Sequence, residues 1–117
     1  MLEDKEEDYE VLTEDFNKYV IFSFRNFDKL DLYNCRELAD KIEEQNKLGK
    51  KNFAVDLEPI KYIDSSGLGV IANQAILLSK SDKRLYLLNV NSEISHIFSS
   101  VGFDKLFAVV NDRSELN

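Results

Sequence analysis

Apolar positions along this chain change period several times, and each change marks an element. Tyr9–Leu12 and Lys18–Phe24 are rich in β-branched and aromatic residues, with the polar Thr13–Asn17 between them, which predicts an opening antiparallel hairpin. Leu32, Cys35, Leu38, Ala39 and Ile42 then recur at helical spacing on one stripe, with Asp31 placed to cap that helix and Gly49 to stop it. Asn52–Leu57 predicts a short buried strand, and the only proline, Pro59, keeps the following connection irregular. A second helix runs from the Asp64–Gly69 turn to Lys80, turning Leu68, Ile71, Ala72, Ala75 and Leu78 inward. Leu85–Asn89 is the next strand. A third helix, capped by Asn91 or Ser92, turns Ile94, Ile97, Phe98 and Val101 inward and stops at Gly102. Phe107–Val110 is the last strand.

An opening hairpin followed by βαβ units predicts an α/β fold with a single mixed β-sheet and helices packed mainly on one face. At 117 residues the chain is one domain with a core of its own. Met1–Asp8 is acidic and poor in core formers, so it is expected to be a flexible, solvated tail, leaving 9–117 as the domain. A net charge of −7 without a Lys/Arg cluster argues against nucleic acid and against anionic membrane surfaces as partners. No apolar run approaches the roughly 18 residues of a membrane span, and the start carries no apolar signal segment, so a cytoplasmic location is expected. The single Cys35 cannot form an internal disulfide and reads as a small core thiol.

Candidate chemistry concentrates in Tyr62–Ile71. Gly67-Leu68-Gly69-Val70-Ile71-Ala72 spells the dinucleotide pattern G-x-G-x-x-A, but the seven residues Glu58–Asp64 intervene after the preceding strand, before the serines, and no acid ends the next one. A serine hydrolase would need a base and a G-x-S-x-G elbow, whereas Ser65 has no glycine two positions before it and the only histidine, His96, lies opposite its helix's apolar stripe. One His and one Cys give no metal-ligand spacing, so neither metal nor cofactor is expected and the chain does not read as an enzyme. Asp64-Ser65-Ser66 at a helix start is compatible with ordinary capping. Capping alone accounts for the hydroxyls, but the same turn is a place where a phosphoryl group meets free backbone N–H groups. Val70 and Leu77, flanked by Asn73 and Gln74, form an outward face of the second helix that such a modification could control. A phosphate adds roughly −1.5 to −2 charges, which a partner packed on the turn would have to desolvate.

Val55–Gly69 (VDLEPIKYIDSSGLG) closely resembles the signature of STAS domains of the anti-sigma-factor-antagonist type. The likeness extends to Lys29-Leu30-Asp31 before the first helix and to Val101-Gly102-Phe103 after the third. The resemblance implies a partner-switching role. The unphosphorylated chain would bind an anti-sigma factor that is also a serine kinase of histidine-kinase-like ATPase fold, thereby releasing sigma factor. Phosphorylation would end the complex and a PP2C-type phosphatase would reset it. By motif match Ser65 is the phosphoacceptor, and Asp31, Asp64, Ser66, Gly67, Leu68 and Gly69 border the contact, to which the outward face adds Val70, Asn73 and Leu77. Asp28 stands where the family usually has glycine, and Ser81–Arg84 also lacks the glycine often found there. The rival readings are a STAS subunit of a sensory or transport assembly, in which the serine is only a cap, and a nucleotide-binding protein or hydrolase using the Ser/Gly turn.

Overall fold

The structure, a computed structural model, describes residues 9–116; the acidic segment 1–8 expected as a tail, and Asn117, lie outside the described residues. In chain order the elements are β1 (Glu10–Phe16), β2 (Tyr19–Arg25), β3 (Lys29–Leu30), α1 (Cys35–Lys47), β4 (Asn52–Asp56), β5 (Tyr62–Ile63), α2 (Ser65–Ser79), β6 (Arg84–Leu88), α3 (Ser92–Ser100) and β7 (Ala108–Val110). A five-stranded sheet runs in the order β1-β2-β4-β6-β7, antiparallel between β1 and β2 and parallel elsewhere.

Strand alternation divides the apolar side chains between the two faces of this sheet. Phe22, Phe53, Val55, Leu85 and Leu87 join the main core together with Leu38 and Ile42 of α1, Ile71 and Leu78 of α2, and Ile94 and Phe98 of α3. The three helices therefore share one face. Ile21, Ala54 and Leu88 form a smaller cluster with Leu116, which follows the 3-10 turn Arg113–Glu115. Arg113 from that turn donates to Glu14 at 2.9 Å and lies over the Phe16 ring. It also approaches the buried Asp56, whose carboxylate accepts from the Glu58 N–H and the Asn89 amide, both at 3.0 Å.

Some expectations are corrected and others are met or refined. The first hairpin is tighter: Thr13–Phe16 belong to β1, and only Asn17 and Lys18 turn the chain, Asn17 in the left-handed region at φ 55°. As an edge strand with most residues exposed, β1 accommodates polar side chains that a central strand would not. The first helix starts later, with Asn34 rather than Asp31 at its N-cap, so Leu32 is 64% exposed instead of buried. Val101 ends α3 and is 48% exposed. A second, two-stranded parallel sheet, β3 with β5, accompanies the main one. Asn91 caps α3 through Ile94 N–H at 2.8 Å. At the end of α1, Gly49 takes φ 89°, and the Gly49 and Lys50 N–H groups close back on Asn46 and Gln45 carbonyls.

Candidate functional site

The short β3/β5 ladder holds the start of α2 against the loop that leads into α1. Lys61 N–H donates to the Asp28 carbonyl at 2.8 Å, and Asp64 N–H to the Leu30 carbonyl at 3.2 Å. Asp28 has no positive φ; the left-handed residue of this segment is Asn26, at φ 67°, so a glycine's conformational freedom is not required at position 28. In the other connection without its glycine, Asp82 takes the left-handed conformation at φ 62°.

Asp64 is the N-cap of α2. Its Oδ1 accepts from Gly67 N–H at 2.9 Å, and its Oδ2 accepts from Leu32 N–H at 3.2 Å. One carboxylate thereby fixes both the helix start and the β3–α1 loop. Gly67 is buried directly beneath Leu30, where an added Cβ would lie 2.4 Å from the Leu30 carbonyl oxygen. It serves the fit of the turn rather than its outer surface. Asp31 shapes the same loop: its carboxylate accepts from Tyr33 N–H at 3.0 Å and its carbonyl from Cys35 N–H at 2.9 Å. This Asx turn delays α1 and turns Leu32 and Tyr33 outward, the latter 91% exposed.

Ser65, the first residue of α2, is exposed, and Ser66 is half-buried. Both line an open groove of about 410 Å³ between the first turns of α1 and α2. Leu32, Cys35, Arg36 and Ala39 form one wall; Gly69, Val70 and Asn73 continue the other. Nothing lies within 4 Å of a Cβ built on Gly69, so that position is open to the groove. Of the remaining residues singled out in the sequence, Leu68 packs partly buried against the core, and Leu77, 38% exposed, lies beyond the groove lining. Asp31 borders a separate cavity of about 180 Å³ with Tyr9, Phe27 and Tyr33.

Gln74 is a correction. It is not an outward flank but 3% exposed, its amide donating to Glu43 of α1 at 2.9 Å. Leu32 and Arg36 share the groove with Ser65 without having been singled out as site residues. The signal for Leu32 was the Asp31…Asn34 spacing, which forms a turn before the helix. The Cys35 thiol is buried, and its pKa is raised by that burial and secondarily by the Asp64 charge. Among the described residues no cluster of three His, Cys, Asp or Glu could hold a metal ion, and no helix is long and apolar enough to cross a membrane.

The chain matches the STAS domain family over residues 15–116. It is 33% identical over 88 residues to the anti-sigma-B factor antagonist of Staphylococcus aureus, covering 75% of this chain and 81% of that protein. An anti-sigma-factor antagonist (STAS) domain protein from Planctomyces limnophilus superposes with a TM-score of 0.81 at 13% identity, over 90% of this chain and 92% of that one. The Bacillus cell fate determinant SpoIIAA in its phosphorylated form gives a TM-score of 0.68 at 20% identity, over 88% and 93%. At such identities the two structures speak for the fold.

Proposed function

This chain belongs to the STAS domain family, and from that premise we propose that it is an anti-sigma factor antagonist, a cytoplasmic binding protein rather than an enzyme, switched at Ser65. In its unmodified form it binds an anti-sigma factor through the Ser65 turn and the adjoining face of α2, so that sigma factor is released. The anti-sigma factor is the serine kinase and carries the ATP. Ser65 Oγ forms a bond to the γ-phosphorus, the phosphoanhydride bond breaks, ADP leaves and the hydroxyl proton goes to solvent. A PP2C-type phosphatase returns the hydroxyl by hydrolysis.

One observation carries this reading. Ser65 is an exposed hydroxyl at the first position of a helix whose start is held by the Asp64 cap, and it opens onto an otherwise neutral stretch of α2. A phosphoryl group there is favoured by the helix terminus, by about 0.3–1 kcal/mol, so the fold tolerates it. A partner seated on the groove must instead desolvate the dianion, which costs more.

Incubation with the cognate kinase and ATP, followed by phosphopeptide mapping, tests the proposal. The expected result is modification of Ser65 alone, lost in Ser65→Ala while binding persists. Phosphate on another residue, or on none, would contradict it.

A further inference from the structure

We propose that Arg36 is the chain's own anchor for the phosphoryl group on Ser65, exchanging its pairing with Asp40 for the phosphate. The inference rests on Ser65 being the phosphoacceptor. Arg36 and Ser65 line the same groove from facing helices, and among the described residues Arg36 is the only charged one in that lining.

In the unmodified chain Arg36 is paired with Asp40, one turn along α1, at 3.6 Å. Both side chains are largely exposed, 70% and 64%, so this pair is weakly held and the guanidinium is free to reorient. A phosphate is the stronger partner. It carries roughly −1.5 to −2 charges and presents three acceptor oxygens to the planar guanidinium fork.

The electrostatics of the groove also call for a cation. Burial does most to raise the Cys35 thiol pKa, Asp64 and Asp31 add to that rise, and Arg36 opposes it. Cys35 lies in the groove wall, so these three charges act on one place, two of them negative. A dianion added beside Asp64 increases the imbalance unless Arg36 answers it. Arg36 is therefore a positioning residue. It draws the phosphate against the chain's own surface and shields it from attack, which prolongs the modified state.

The test installs phosphoserine at position 65 during synthesis of the full chain, so no kinase is needed. Phosphorus NMR then follows the second ionisation of the phosphate in the parent chain and in Arg36→Gln. A nearby cation favours the dianion, so the parent should titrate about half a pH unit below the variant. Asp40→Asn, which frees Arg36, should keep or enlarge that difference. Superimposable titrations of the parent and Arg36→Gln would overturn the anchor, including the case in which Arg36→Gln weakens binding of the unmodified chain. Phosphopeptide mapping addresses the kinase reading separately, and the titration decides the role of Arg36 whatever that mapping returns.

Discussion

Asp64 and Leu32, 32 positions apart in sequence, are joined by a hydrogen bond from the Leu32 N–H to the carboxylate that also caps α2. The serine turn and the β3–α1 loop are thus one assembly, and removing the carboxylate should disturb both. Loss of a helix cap costs about 1 kcal/mol and loss of a second hydrogen bond about as much, so Asp64→Ala should lower unfolding stability by about 2 kcal/mol. Urea denaturation reads that loss. Amide hydrogen exchange should show faster exchange at Leu32 and Gly67 together. Acceleration at Gly67 alone would mean that the two loops are independent.

The two glycines of the turn should respond in opposite ways to alanine. At Gly67 the new Cβ meets a backbone carbonyl oxygen at 2.4 Å, so Gly67→Ala should destabilise by roughly 1–3 kcal/mol. At Gly69 the new methyl meets nothing within 4 Å, and the better helix propensity should stabilise by roughly 0.5–1 kcal/mol. Gly69→Ala nonetheless places a methyl in the groove, so partner binding should weaken while stability rises. Thermal unfolding and calorimetric titration, measured on both variants, separate the two effects.

Cys35 predicts an alkaline limit to stability. Burial first, and Asp64 second, raise its pKa in the folded chain above the ordinary 9.0. Between the unfolded and folded values the native state holds the proton more tightly than the unfolded state does. The corresponding stability is complete below pH 9.0 and is lost as pH rises through the folded value. The urea midpoint should therefore fall less steeply above that pH in Cys35→Ala than in the parent chain.

The helices and the main strands were legible because each carries its period over enough residues to be read. The stripe Cys35, Leu38, Ala39, Ile42 is buried as its spacing implied. Leu32 continues the same spacing, yet it lies in a turn that Asp31 and Asn34 build from their own side chains, which a helical projection cannot register. Two-residue strands such as β3 and β5 have no period at all; they exist because the chain on either side is held in place. Gln74 was misplaced for another reason. Its amide is buried because Glu43 on α1 satisfies it, and that pairing is tertiary. At the site, the D-S-S-G-L-G run marked the turn and its serine, whereas the opposite wall with Leu32, Cys35 and Arg36 required the packing of α1 beside α2.

The switch itself is tested most directly by titrating the purified kinase-type anti-sigma factor calorimetrically with this chain in two forms, unmodified and phosphorylated at Ser65. Binding of the unmodified form, weakened at least about tenfold by the phosphate, a change of about 1.4 kcal/mol, is the predicted result. Equal affinity of the two forms, or preference for the phosphorylated one, would contradict it.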